Sequence, residues 1–153
     1  MSLEIRQLTP NDTALINELL TIFGKAFEDR ETYSTNRPSD RYLQELLGDD
    51  VFIAIAALKN NEVIGGITAY ELKKPEQPRS EIYIYDLAVA AQHRREGIAT
   101  ALIKKIKEIA AERRAYVIFV QADTSPEDEP AIALYSKLGK RENVLHFDIA
   151  VDS

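Results

Sequence analysis

The sequence predicts an α/β (α+β) domain: a mixed, mostly antiparallel sheet with a central parallel βαβ unit and helices on both faces. Three observations predict it. Residues 51–89 read as three apolar runs separated by polar turns, the pattern of an antiparallel meander. Residues 97–113 change to helical period, with Ile98, Leu102, Ile106 and Ile109 on one stripe and Lys104, Lys105, Lys107 and Glu108 largely facing water. Tyr116–Val120 is then a continuous apolar run, the mark of a strand buried on both faces. Strand 81–89, helix 97–113 and strand 116–121 make one βαβ unit, so those two strands are expected to run parallel.

The other elements follow in chain order. Leu3–Gln7 alternates and reads as a strand. Thr9-Pro10-Asn11-Asp12 reads as a helix start, with Thr9 as cap, Pro10 in the first turn and Asp12 three residues on. That helix would turn Leu15, Ile16, Leu19, Leu20, Ile22 and Phe23 to the core. Residues 28–40 are polar, contain Arg37-Pro38 and read as loop. A short helix over Arg41–Leu47 ends at Gly48. Strands at 51–58 and 63–72, the second holding Gly65-Gly66, flank a turn at 59–62. Pro75 and Pro78 mark a longer hairpin loop at 73–79. Ser125, with Asp128 three residues on, opens a last helix that stops at Gly139. Val144–Val151 alternates and is expected to close the sheet. The whole, 1–153, reads as one domain.

Composition narrows the function classes. Apolar residues are 45% and charged residues 29%, ordinary for a globular chain. There is no cysteine, which removes disulfides, thiolate metal sites and a cysteine nucleophile. His93 and His146 lack a second ligand at metal spacing, so no metal site is expected. No leader-like start and no apolar run of about 18 residues is seen, so neither export nor membrane insertion is expected, and a cytoplasmic location fits. The net charge of −6 disfavours nucleic acid and favours a cationic partner.

The informative chemistry lies in 86–100. A strand ends, a basic loop carrying Arg94 and Arg95 follows, and a helix begins at Gly97. Orphan amides at a helix start cradle phosphate oxygens, and a glycine there lets an anion approach the backbone. Ala99 keeps the next turn thin. On the preceding strand, parity puts Ile82, Ile84, Asp86 and Ala88 on one face and Glu81, Tyr83, Tyr85 and Leu87 on the other. A carboxylate at Asp86 behind two isoleucines would be partly desolvated, as a general base needs to be, with Glu81 as the second candidate.

Arg94-Arg95-Glu96-Gly97-Ile98-Ala99 matches the pyrophosphate loop Gln/Arg-x-x-Gly-x-Gly/Ala, and the chain resembles the GCN5-related N-acetyltransferase (GNAT) superfamily along nearly its whole length. Tyr135-Ser136-Lys137-Leu138-Gly139 resembles that superfamily's Tyr-x-x-Leu/Phe-Gly segment. Residues 76–89, 115–118, 120–123 and 146–149 are similar to the aminoglycoside 3-N-acetyltransferases within it, which include gentamicin-modifying enzymes. The resemblance implies the GNAT fold, acetyl-CoA as donor and direct attack by an amine. It implies that Leu87, Ala88 and Val89 bind the pantetheine arm and that Arg94, Arg95, Glu96, Gly97, Ile98, Ala99 and Thr100 hold the pyrophosphate. It further implies that Tyr135 contacts the cofactor and acts as the acid that protonates the departing thiolate. A polycationic amine would meet Tyr33, Glu81, Tyr85, Asp86, Asp123 and Asp148. A homodimer is also implied. Two alternatives stay open: an acetyltransferase for polyamines or protein amines, and a non-catalytic acyl-CoA-binding module. A nucleotide-binding domain is disfavoured, because neither a Walker lysine pattern nor a Gly-x-Gly-x-x-Gly loop is present.

Overall fold

Five strands form one sheet in the order β1-β2-β3-β4-β5 in the computed structural model, which describes residues 2–151. They are β1 (Leu3–Gln7), β2 (Phe52–Lys59), β3 (Glu62–Lys73), β4 (Ser80–Val89) and β5 (Ala115–Val120). β1 to β4 are antiparallel neighbours, and β4 and β5 are parallel. The helices are α1 (Thr13–Ala26), α2 (Asp40–Leu47), α3 (Ile98–Glu112) and α4 (Glu129–Leu138). The described chain divides after Val120 into two compact units. No described helix is long and apolar enough to cross a membrane.

In the first unit two cores sandwich the sheet. Phe52, Ala54, Ala56 and Leu58 of β2 pack with Ile16, Leu19 and Phe23 of α1 and Leu43 and Leu47 of α2. The alternate residues Ile53, Ile55, Ile67, Ile82 and Ile84 are buried on the other face, where α3 brings Ile98, Leu102 and Ile106. Each such side chain contributes about 1.5–3 kcal/mol. The Asn60-Asn61 turn between β2 and β3 has both residues left-handed, at φ 53° and 64°, the backbone of a tight hairpin.

Five local expectations change. Thr9 does not cap α1. Its N–H and hydroxyl both donate to Asp12 Oδ2, at 2.8 and 3.1 Å, closing a turn, and the helix starts at Thr13. Within 28–40 the chain makes one π-helical turn, Glu31–Thr35, rather than plain loop. β5 is an edge strand with one neighbour, so Tyr116 and Val117 are exposed instead of buried on both faces. In the second unit, Ser125 makes no side-chain cap and a short 3-10 turn, Pro126–Asp128, precedes α4. Nor do residues 144–151 form a strand. Leu145, Phe147, Ile149 and Val151 stand exposed there.

Candidate active site

The site begins with an irregularity in β4. Thr68 pairs with Asp86 and Ala69 with Ile84, which leaves Tyr85 as one extra residue opposite β3. This is a β-bulge, and it reverses the side-chain alternation beyond it. Asp86 therefore does not share a face with Ile82 and Ile84, as strand parity predicts. It lies on the α1 and α2 side, in line with Thr68 and Tyr83, while the isoleucines face α3.

Asp86 is part-buried there. The Tyr33 hydroxyl sits 3.2 Å from each of its carboxylate oxygens and donates to them. Burial raises the Asp86 carboxyl above the usual carboxylate range, and the Tyr33 hydrogen bond opposes that rise by favouring the charged form. Burial and the neighbouring carboxylate push the Tyr33 phenol up, so it stays protonated and remains a donor.

Tyr33 is carried by the π-helical turn, a device often found at functional sites. Arg37 ties that turn to α1. Its guanidinium donates to the Tyr33 carbonyl at 2.9 Å, to the Asn17 carbonyl at 3.0 Å and to Thr21 Oγ1 at 3.1 Å. Gly24 leaves room for the turn, since a Cβ there would lie 3.2 Å from Tyr33 Cβ. The Tyr33 ring packs against Phe23 and Phe27 at centroid distances of 6.0 and 5.6 Å.

Beside Asp86 runs an aromatic floor. Tyr85, released by the bulge and 59% exposed, meets Tyr70 and Tyr83 edge-on at 6.0 and 5.9 Å. Tyr83 stacks on Phe119 of β5 at 4.6 Å.

Past this floor the parallel strands part. The β4–β5 register ends at Ile84 and Val120, whereas β4 continues to Val89 along β3. The Ala90 N–H donates to Ile64 O of β3 at 2.7 Å. Strand alternation then points the Val89 and Leu87 amides to the open side and the Ala88 amide to β3.

The loop that follows is tight. Arg95 and Gly97 are left-handed, at φ 66° and 79°. Arg94 Nε donates to Val89 O at 3.4 Å, and Glu96 is paired with Lys59 and His93, which fixes its carboxylate. No side chain caps α3. The first intrahelical bond is Ala101 N–H to Gly97 O, at 3.1 Å, so helix geometry leaves the amides of Ile98, Ala99 and Thr100 without intrahelical acceptors. A Cβ on Gly97 would meet nothing within 4 Å. An uncapped helix start beside two exposed arginines fits a pyrophosphate. Ile98 offers only its backbone, because its side chain is buried.

Glu81 lies elsewhere. It stands at the opposite end of β4, about 15 Å from Asp86 at strand rise. Its carboxylate accepts from Lys74 at 3.3 Å and from the Tyr116 hydroxyl at 2.9 Å. Among the second unit's candidates, Asp123 is exposed and its N–H donates to Asp128 at 2.6 Å. Tyr135 is part-buried on α4. Asp148 is exposed and lies 2.8 Å from His146 Nε2. Among the described residues no three His, Asp or Glu side chains gather as metal ligands.

The acetyltransferase (GNAT) family model matches residues 14–140. The chain belongs to the GNAT family.

Among solved GNAT-like structures, an aminoglycoside acetyltransferase, HMB0005, from an uncultured soil metagenomic sample is 67% identical to this chain. The match covers 99% of this chain and 100% of that one, with a TM-score of 0.97. A second soil metagenomic aminoglycoside acetyltransferase, meta-AAC0020, in complex with sisomicin, is 32% identical over 98% of this chain and 97% of its own, with a TM-score of 0.89. Rat N-acetyltransferase 8F1 is 32% identical over 83 residues, which span 54% of this chain and 37% of that protein. The chain thus spans about two fifths of the length of the curated relatives it matches first.

Of the sequence candidates, the fold brings Tyr33, Tyr85 and Asp86 to one face, with Leu87–Val89 and the 94–100 loop next along the chain. Sequence reasoning missed Tyr70, Tyr83 and Phe119, which build the floor, and Arg37, which holds Tyr33. The aromatic crowding of 83–85 was the available signal.

Proposed function

We propose that this chain moves an acetyl group from acetyl-CoA to an amino group of an aminoglycoside, at the 3-amine. One observation carries the reading: Asp86, a part-buried carboxylate on the strand that runs into an uncapped helix start, is held by the Tyr33 phenol. The two metagenomic relatives, named for aminoglycoside acetylation and matched over nearly their full lengths, support the substrate class.

The 94–100 loop would hold the donor's pyrophosphate through the amides of Ile98, Ala99 and Thr100 and the charges of Arg94 and Arg95. Bound there, acetyl-CoA supplies an activated acetyl thioester. The Leu87 and Val89 amides would hold the pantetheine arm, and one of them would donate to the thioester carbonyl oxygen, a contact worth roughly 2.7–4 kcal/mol in comparable sites. An amine attacks only after losing a proton. Asp86 takes that proton on a carboxylate oxygen, directly or through water, and its raised pKa brings it nearer the working range of a general base. Tyr33 fixes the carboxylate and does not take the proton itself. Tyr135 Oη supplies the proton the departing sulfur needs. Tyr85 offers an exposed ring to a sugar or a cation. Asp123 and Asp148 attract ammonium groups, as does the net charge of −6. Glu81 is left a structural part, paired with Lys74 and Tyr116.

Release of free coenzyme A thiol from acetyl-CoA tests this, with gentamicin, sisomicin or spermidine as acceptor. Fast release with the aminoglycosides and little with spermidine is expected, and the acetylated nitrogen is then mapped by NMR. Absence of release with either aminoglycoside, while acetyl-CoA binds, would sink the substrate assignment and leave the family intact.

A further inference from the structure

Arg37 is half-buried and charged, yet its hydrogen bonds go to neutral oxygens. Its Nε and Nη2 both donate to the Tyr33 carbonyl, at 3.2 and 2.9 Å. Its Nη1 donates to the Asn17 carbonyl and to Asn17 Oδ1, at 3.0 and 3.1 Å, and Nη2 also reaches Thr21 Oγ1 at 3.1 Å. A planar guanidinium can hold one carbonyl on two prongs and grip a neighbouring helix with the rest, which an ammonium point charge cannot do. The carbonyl it holds belongs to the residue whose hydroxyl donates to Asp86. The turn around that residue is weakly closed by itself. Glu31–Thr35 has no side-chain cap, and the Tyr33 N–H to Asp29 O and Asn36 N–H to Glu31 O bonds are both 3.3 Å, longer than usual. The Arg37 contacts to α1 are the shorter ones.

Two opposed influences act on the Asp86 carboxyl: burial, the larger, raises it, and the Tyr33 hydroxyl lowers it. The titratable groups that face Asp86 are phenols: Tyr33 from the π-helical turn, Tyr70 from β3 and Tyr83 on β4 itself, with Tyr85 against all three. Behind them, Asp29 faces Tyr33 and Tyr42 of α2 faces Tyr70. None of these groups is a cation, and burial keeps Tyr33, Tyr70 and Tyr83 protonated. The adjustable influence on Asp86 is therefore the position of the Tyr33 hydroxyl.

We propose that Arg37 is a positioning residue for the base: by tying the π-helical turn to α1 it holds the Tyr33 hydroxyl on Asp86, and so sets the pH at which Asp86 takes up a proton. The residue acts through Tyr33 and touches neither Asp86 nor substrate. Its kinetic consequence rests on the reading of Asp86 as the base, and its effect on Asp86 itself does not.

The test uses the full chain and two readouts. The Asp86 carboxyl carbon, assigned by its loss in Asp86→Asn, is titrated by NMR in the free protein, and kcat/KM is measured across the same pH range. Tyr33→Phe should raise the Asp86 midpoint by about one pH unit, the size expected for a lost hydrogen bond to a charged group. Arg37→Met should raise it in the same direction, and the Arg37→Met/Tyr33→Phe double variant should go no further than Tyr33→Phe alone. The acidic limb of kcat/KM should follow, with activity recovered on the alkaline side. Thr21→Val keeps a similar shape and removes one oxygen that Arg37 grips, so it should give a smaller rise and serves if Arg37→Met does not fold. A midpoint that stays or falls in both Arg37→Met and Thr21→Val overturns the proposal. So does a double variant whose shift is the sum of the single ones, which would mean that Arg37 acts without Tyr33. A midpoint that rises while the kcat/KM limb stays in place supports the clamp and removes Asp86 as the base.

Discussion

The Tyr33 hydroxyl bridges both carboxylate oxygens of Asp86 at 3.2 Å, across 53 positions of sequence. The pKa of both groups is raised, and that of Asp86 has a consequence for stability of definite sign. An unfolded aspartate titrates near about 3.9. A group whose folded pKa lies above that value contributes stability that is complete below the unfolded pKa and is lost as pH rises through the folded one. At pH 7 the ionised, part-buried carboxylate is therefore carried at a cost. Asp86→Asn removes the charge and still offers an amide oxygen to Tyr33. The variant is expected to melt at pH 7 no lower than wild type, and to lose that advantage near pH 3. Its turnover should fall about 10²–10⁴-fold, the usual share of a general base. Calorimetry at the two pH values, with steady-state kinetics, checks both. A loss below threefold takes Asp86 out of the mechanism.

Tyr33→Phe acts on the same pair in a different direction. The hydrogen bond favours ionised Asp86, so its removal lets the carboxyl pKa rise further. The acidic limb of the kcat/KM profile should then move to higher pH, with most activity recovered on the alkaline side. A uniform drop at every pH would mean that Tyr33 serves the fold or the substrate rather than the ionisation of Asp86.

Gly97 separates donor binding from chemistry. Its φ of 79° is a left-handed backbone, which costs a non-glycine residue roughly 1–2 kcal/mol. Nothing would touch an added methyl, since no atom lies within 4 Å of it. Gly97→Ala should lower stability by about 1 kcal/mol and raise KM for acetyl-CoA more than KM for the amine. Titration calorimetry with coenzyme A checks the first binding step, and equal effects on both substrates would count against a pyrophosphate site there.

Tyr135→Phe should cut the rate and leave acetyl-CoA affinity mostly intact, as measured by single-turnover kinetics beside coenzyme A titration. An unchanged rate would take the acid role away from Tyr135.

The legible parts of this chain were local ones. Gly97 after two arginines announces an anion-binding helix start, because amide geometry and charge need only a few neighbouring residues. The illegible parts depended on counting across strands. Period-two arithmetic puts Asp86 with Ile84, and one extra residue, Tyr85, reverses it. Nothing in 81–89 alone says where β3 shifts its register. Asp86 is desolvated as expected, though by the Tyr33 side and not by isoleucines. The alternation of 144–151 was equally plain, yet alternation says that a segment can be a strand and not that it becomes one. β5 was read as doubly buried because its composition is apolar, while its place at the sheet's edge is a property of topology.

Gly66 shows how closely α1 lies on the sheet. A Cβ at this position would run into the Leu19 methyls and would stand 2.6 Å from the Ile55 carbonyl oxygen. Leu19 is fully buried and could shift only by displacing Ile16 or Phe23 in the same core. The Ile55 oxygen belongs to β2, where Ala56 pairs with Gly66, and it cannot yield without opening the ladder. Gly66→Ala should therefore cost at least the upper end of the usual overpacking range, about 3 kcal/mol. Adding Leu19→Ala should not restore it, because the backbone oxygen remains. Gly48→Ala is the control. Gly48 has an ordinary φ of −86°, and an added Cβ would approach nothing nearer than 3.4 Å. That change should be neutral or stabilise by up to about 1 kcal/mol through the unfolded chain. Urea unfolding of the three variants measures the difference. Equal stability for Gly66→Ala and Gly48→Ala would mean that α1 does not pack against β3 as closely as the Leu19 contact requires.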